Sequence, residues 1–313
     1  MVDSSAQQRP AMVQRRQNAD ESAESASENL SLESGQKSYD RRALTYANTF
    51  ENVWKANIIR ALEWMTGKIR IILMLREFKN RPKTRTTMWR QALEVMGVDI
   101  LTPPEQIARI PKTGPVIFVA NHPHGLVDGM VIAELIVNVR ADFKILTRGI
   151  LTHIDDVAAS FMISVPFPHE EDSQRKGIEM RAATMKTLED GGAIALFPSG
   201  VVASSETMFG PAIEQEWNVF TAKMIRRSGA QVVPLFFPGS NSRWYQIANR
   251  ISATLRQGLL LHEIVAACRK PQSPVVGNPI PPEEIAARIE DPREFMTWLR
   301  QHTLSLKDDP DKF

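Results

Sequence analysis

Apolar residues along this chain follow two different rhythms. Between Glu51 and Phe78, the residues Trp54, Ile58, Leu62, Met65, Ile69 and Ile72 recur in steps of four, four, three, four and three, the period of one face of an α-helix. The spacing predicts an amphipathic helix, or a pair broken at Gly67, whose missing side chain weakens a helix interior. After Pro103-Pro104 the rhythm shortens. Runs rich in β-branched and aromatic residues stand at Val116–Ala120, Phe143–Leu146, Ser164–Phe167, Ala193–Phe197, Val232–Phe237 and Pro274–Val276. Helical patterns over Asp128–Val139, Gln174–Glu189, Ser242–Ala267 and Pro282–Leu304 separate most of them, and Gly191-Gly192 closes the second. Strands alternating with helices predict an α/β fold with helices on both faces of a sheet. No internal repeat is visible.

Residues 1–45 are rich in Ser, Gln, Glu and Ala and carry no apolar run, so they read as a disordered tail rather than a secretory or transit segment. Residues 46–105 form a basic amphipathic helical segment, and 106–313 the main domain. With 43% hydrophobic and 24% charged residues, the 313-residue chain has the composition of a globular protein. A net charge of +2 argues against nucleic acid as a partner. The charge is uneven: Glu51 to Arg90 holds ten Lys and Arg against three Glu. An apolar stripe carrying Trp54 beside such cations, with Trp64 close by, suits the interface of an anionic bilayer; packing of the stripe on the main domain is the alternative. Nowhere is there a run of roughly 18 apolar residues, the length a membrane-spanning helix needs. The single cysteine, Cys268, excludes an internal disulfide or a thiolate metal cluster. Together these features predict a cytoplasmic protein, peripheral on the cytoplasmic face of a membrane.

The densest chemistry follows the first predicted strand, in Asn121-His122-Pro123-His124-Gly125-Leu126-Val127-Asp128-Gly129. Pro123 fixes one backbone angle, and Gly125 permits a turn that folds Asp128 back toward His122. A carboxylate accepting from one imidazole nitrogen selects the tautomer whose other nitrogen is a free base, the requirement for activating a hydroxyl. The alternative gives Asp128 a helix-capping role and leaves His122 an ordinary loop histidine.

Asn121-His122-Pro123-x-Gly125-x-x-Asp128-Gly129 resembles the first motif of the glycerolipid (lysophospholipid) acyltransferase superfamily, in its hemolysin-type branch, where five residues rather than the usual four separate His from Asp. Phe197-Pro198-Ser199-Gly200 resembles the third motif, with Ser199-Gly200-Val201-Val202 replacing a common Glu-Gly-Thr-Arg. Gly239-x-Asn241-Ser242-Arg243, after an apolar strand, resembles the fourth. The second motif, whose arginine meets the acceptor phosphate, has no counterpart in Phe161–Pro168; Arg148 and Arg175 are substitutes.

The resemblance implies a mixed sheet flanked by helices and an acyltransferase domain over 106–313. It further implies that His122 deprotonates a lysolipid hydroxyl, that Asp128 orients His122, and that the acyl group comes from acyl-CoA or acyl carrier protein, with no other cofactor and no metal. Asn121, Gly125, Arg148, Phe197, Pro198, Ser199, Gly200, Asn241, Ser242 and Arg243 are its substrate-binding candidates. Backbone N–H groups at Gly200 would meet an anion or the oxyanion, and Asn241, Ser242 and Arg243 a polar head group. Two alternatives stand beside this reading: a metal-dependent hydrolase using His122 and His124, with Leu126 where the metallo-β-lactamase pattern needs an acid, and an inactive membrane-associated homologue. A serine hydrolase is excluded, because Phe197 occupies the first glycine position of Gly-x-Ser-x-Gly.

Overall fold

A computed structural model describes residues 53–148, 155–166 and 172–308. The expected tail, 1–45, lies outside the described residues, as does Phe167. Helices α1 (Val53–Thr66) and α2 (Lys68–Asn80) come first, followed by α3 (Met88–Met96) and the short α4 (Pro104–Ile107). Gly67 separates α1 from α2 at φ 142°, a backbone conformation only glycine adopts easily. The body continues with β1 (Val116–Ala120), α5 (Leu126–Val137), β2 (Phe143–Arg148), α6 (Asp156–Ala159), β3 (Met162–Val165), α7 (Ser173–Glu189) and β4 (Ala193–Leu196). Next come a small hairpin, β5 (Ser204–Ser205) and β6 (Ala212–Ile213), then α8 (Val219–Ser228), β7 (Gln231–Phe236), α9 (Arg243–Ile251), α10 (Ala253–Ala267), β8 (Val275–Val276), α11 (Pro282–Ala286) and α12 (Pro292–Ser305).

The main sheet has the order β3-β2-β4-β1-β7-β8. Its first five strands are parallel, and β8 runs antiparallel to β7. Strand β1 is buried at all five positions, as a parallel strand covered on both faces must be, which is why its sequence is continuously apolar. Val116, Phe118 and Ala120 join a core with α3 and α5, including Met88, Trp89, Leu93 and Ile132. Ile117 and Val119 point the other way, into a core with Leu188, Ile225, Phe295 and Leu299.

Local chemistry moved several boundaries. Strand β3 stops at Val165, earlier than the apolar run suggests, because Pro166 and Pro168 have no N–H for the ladder. The pattern over Ser242–Ala267 is two helices, broken where Ser252 is extended. The pattern over Pro282–Leu304 is also two. Asp291 caps the second by accepting from the N–H groups of Arg293 (2.7 Å) and Glu294 (3.1 Å), with Pro292 opening the helix. Helix α8 and the β5–β6 hairpin lie outside the predicted elements.

Three residues of the predicted stripe face outward and Ile72 is half-buried. Trp54 is 81% exposed, and Ile58 and Ile69 are also exposed, as is Trp64. The buried face consists instead of Ala56, Ile59, Ile71 and Phe78, and α1 packs on α10. Phe78, Met88, Trp89 and Leu93 then tie this basic segment into the central core.

A Cβ at position 67 would stand 2.7 Å from Cγ2 of Val265 on α10. Gly67→Ala is therefore expected to destabilise the protein by about 1–3 kcal/mol, combining backbone strain with the clash. Chemical denaturation of both proteins checks this.

Candidate active site

Strands β4, β1 and β7 are neighbours at the centre of the sheet, so their carboxyl ends open at one edge, where parallel α/β sheets hold their ligands. Asn121 locks two of these ends together. Its Nδ2 donates to the Phe237 carbonyl (2.8 Å), and its Oδ1 accepts from the Phe237 N–H (2.7 Å). This pins the start of the catalytic loop to β7. Asn121, expected to contact a ligand, serves here as a clamp through one bond at each side-chain atom.

The loop then curls around one carboxylate. Asp128 is fully buried at the first turn of α5. Its Oδ2 accepts from His122 Nδ1 (3.1 Å), from the His124 N–H (2.8 Å) and from the Gly125 N–H (3.1 Å); its Oδ1 accepts from His124 Nδ1 (3.0 Å). Gly125 permits this closure at φ 77°. Burial alone would raise the Asp128 carboxyl, but hydrogen bonds from His122 and His124, with their charges, outweigh it and hold the group below its ordinary value. A carboxylate can only accept, so both Nδ1 atoms carry hydrogen, and in the neutral ring Nε2 is then the nitrogen that holds the lone pair. Capping and orientation are both present, since Asp128 takes the N–H of the residue that begins the helix as well as the two rings.

His122 is held from three further directions. Phe197, at the end of β4, stacks on its ring with centroids 3.9 Å apart at 22°. The His122 carbonyl accepts from the Ala203 N–H (2.8 Å), and its N–H donates to Glu214 Oε2 (3.0 Å). The other Glu214 oxygen accepts from the Trp217 indole (3.0 Å), and its carbonyl accepts from Arg300. Glu214 is buried and was not among the expected residues. It stands 92 positions beyond His122, in an acidic stretch that by pattern reads as solvated, so no local signal marks it.

The other candidates serve mainly as scaffold. Pro198 is buried and its carbonyl accepts from Asn218 (3.0 Å). Ser199 donates its hydroxyl to the Val201 carbonyl (2.9 Å), and the Gly200 N–H is committed to the Phe197 carbonyl (2.9 Å). That N–H closes the turn and is not the anion donor expected. Ser242 caps α9 and gives its N–H and hydroxyl to the buried Glu263 (2.8 and 2.5 Å), while Arg243 donates to the Phe209 carbonyl (2.8 Å). Ser242 is thus committed to Glu263, whereas Arg243 stays exposed with one N–H on the Phe209 carbonyl. Asn241 is buried beside them, with its Nδ2 lacking a partner. Gly239 passes close to the second imidazole, since a Cβ there would stand 2.9 Å from His124 Nε2. Arg148 ends β2, which β4 separates from β1, and donates to the Pro166 carbonyl (3.2 Å); it is not brought to His122. Arg175 is exposed, paired with Asp172 and Glu179. Among the described residues, no group of three or more His, Cys, Asp or Glu side chains could hold a metal ion.

A histidine oriented by a buried carboxylate at the mouth of a parallel sheet belongs to α/β enzymes that move a proton with an imidazole. The family model described as Acyltransferase matches residues 55–310, and this chain belongs to that family of acyltransferases. Among solved structures, it is similar to the 1-acyl-sn-glycerophosphate (LPA) acyltransferase PlsC from Thermotoga maritima, with 12% identity and a TM-score of 0.44 over 80% of this chain and 94% of that one. No curated protein matches the sequence.

Because the folded carboxyl of Asp128 lies below its value of 3.8 in an open chain, its stabilising contribution is complete above that value and is lost as pH falls through the folded one. The difference in melting temperature between the wild type and Asp128→Asn should narrow as pH falls below about 4. Calorimetry from about pH 3 to 5 checks the sign; a difference that widened as pH fell would contradict it.

Proposed function

We propose that this acyltransferase moves a fatty acyl group from acyl-CoA or acyl carrier protein to the hydroxyl of a lysolipid, on the cytoplasmic face of a membrane. The observation that carries the reading is the bond from Asp128 to His122 Nδ1, which leaves Nε2 as the basic nitrogen. Nε2 takes the hydroxyl proton as the acceptor oxygen attacks the thioester carbonyl carbon. The tetrahedral intermediate collapses, the C–S bond breaks, and the imidazolium returns its proton to the departing thiolate. Asp128 stays ionised throughout and stabilises the imidazolium, while stacking on Phe197 keeps the ring from turning. No acyl-enzyme forms and no metal takes part.

For the acceptor, lysophosphatidate and lyso-ornithine lipid are the two candidates. Arg148 lies two strands away and Arg243 is turned to Phe209. Membrane contact is supported by the outward face of α1 and α2, where Trp54, Ile58, Trp64 and Ile69 are exposed within the basic segment. Each cation near an anionic surface adds about 1 kcal/mol. No helix among the described residues is long and apolar enough to cross a membrane.

His122→Ala should lower turnover about 10²–10⁴-fold with an unchanged circular dichroism spectrum; Asp128→Asn should approach the same loss, because an amide can present its donor to Nδ1 and reverse the tautomer. Retained turnover in His122→Ala removes the base assignment. Trp54→Glu with Trp64→Glu should weaken sedimentation with phosphatidylglycerol vesicles, and the residual binding should fall further with salt; unchanged sedimentation returns that face to the solvent.

A further inference from the structure

The hairpin that leaves the third motif is fastened to the base at both ends. Ala203, just before β5, donates to the His122 carbonyl (2.8 Å); Glu214, just after β6, accepts the His122 N–H (3.0 Å). Between these two bonds the chain runs out to a tip, where Met208 is 45% and Phe209 76% exposed. The hairpin lies on α9: Gln246 Oε1 accepts the Ser205 N–H (2.7 Å), and Arg243 donates to the Phe209 carbonyl (2.8 Å).

Helix α9 has an outer face of its own. Trp244 and Ile251, seven residues apart and so two turns along one side, are 70% and 62% exposed. Half-buried Ile247 lies between them, exposed Arg243 and Arg250 flank them, and α9 contains no acidic residue. Aromatic and aliphatic side chains bordered by arginine are the pattern of a helix lying in a lipid interface.

Helix α9 adjoins the helices already described. Helix α9 packs on α10, and α10 on α1. Apart from Leu101 and Ile178, every large apolar side chain exposed among the described residues lies on α1, α2, the 201–213 segment or α9. Isolated exposed apolar residues are ordinary, but collection onto adjoining elements marks a contact surface. Charge selects the occupant. Exposed Arg60, Arg70, Arg76, Lys79, Arg243 and Arg250 on α1, α2 and α9 outnumber the exposed acids Glu77, Glu206 and Glu216 of these elements and the hairpin, which suits an anionic bilayer.

We propose that the Met208–Phe209 tip and the outer face of α9 form a second bilayer contact, joined directly to His122, through which a membrane-resident acceptor reaches the base. This rests on the reading of the chain as an acyltransferase for a lipid acceptor. The contact places the lipid boundary at the segment that brackets the catalytic residue, whereas α1 and α2 hold the protein from further along the surface.

Vesicle binding tests this without an acceptor. Full-length protein is sedimented with phosphatidylglycerol–phosphatidylcholine vesicles, and amide exchange is followed over residues 206–210 with and without them. Phe209→Glu with Trp244→Glu should weaken partitioning at least tenfold, Phe209→Leu with Trp244→Phe should restore it, and vesicles should slow exchange at the tip. Both side chains are exposed, so the folded state survives the change. Wild-type partitioning by the Glu pair, or tip exchange unaffected by vesicles, overturns the proposal. Trp54→Glu with Trp64→Glu in parallel reads the other contact: loss there alone removes this proposal and leaves the acyl-transfer reading intact. Intact vesicle binding by both contacts, with no acyl transfer to any acceptor, removes the function and keeps the contact.

Discussion

A carboxylate with no exposed surface survives in a folded protein only when donors replace its water. Asp128 has four such donors, two main-chain N–H groups and two imidazoles, all within 3.1 Å. Meeting that requirement fixes the path of residues 122–125, sends Gly125 to positive φ, starts α5 and turns both rings by their Nδ1 atoms. The orientation of His122 is thus a by-product of keeping one charge satisfied. Loss of the carboxylate would undo helix start, loop path and tautomer together, so capping and ring orientation are not competing explanations here.

Around that centre, polar residues mostly hold main chain rather than reach for a ligand. Asn121 clips β1 to β7, Glu214 grips the His122 N–H, and Glu263 takes both donors of Ser242. Such bonds cost nothing at the moment of reaction, since they exist before substrate arrives, and the first two fix the loop to β7 and to the hairpin at once. Preorganisation of this kind is what lets an imidazole act without first paying to find its geometry. It also means that a residue's presence in a motif is weak grounds for assigning it to substrate: the Gly200 N–H, an apparent anion donor, is committed to the Phe197 carbonyl.

What could be read from the sequence followed how local the determining interaction was. His122 and Asp128 are six residues apart, and one loop carries every group that joins them, so the pair was visible in the one-dimensional pattern. Strand β1 was equally clear, because burial on both faces forces an unbroken apolar run. The direction of the first helix was not. Periodicity shows that Trp54 and Ile58 share a face, but Ala56 and Ile59 supply another apolar side, and only the arrival of α10, some two hundred residues later, decides that the smaller residues go inside. Glu214 escaped for the same reason. Its partner is a main-chain N–H from a distant strand end, and a main-chain donor leaves no mark in the sequence.

The hairpin ties these threads together. A ladder with only two residues in each strand has little stability of its own. It is held by its ends and its neighbour: the His122 main chain at the base, and Gln246 and Arg243 of α9 along its length. An element so poorly stabilised internally takes its shape from what it touches, and it touches the base on one side and exposes Met208 and Phe209 on the other. Any surface that settles against the tip therefore bears on the same two bonds that locate His122. The proposed transfer to a lipid would need His122 at the boundary without being immersed in it. A short hairpin, anchored to the histidine and apolar only at its tip, meets that need with no spanning helix among the described residues.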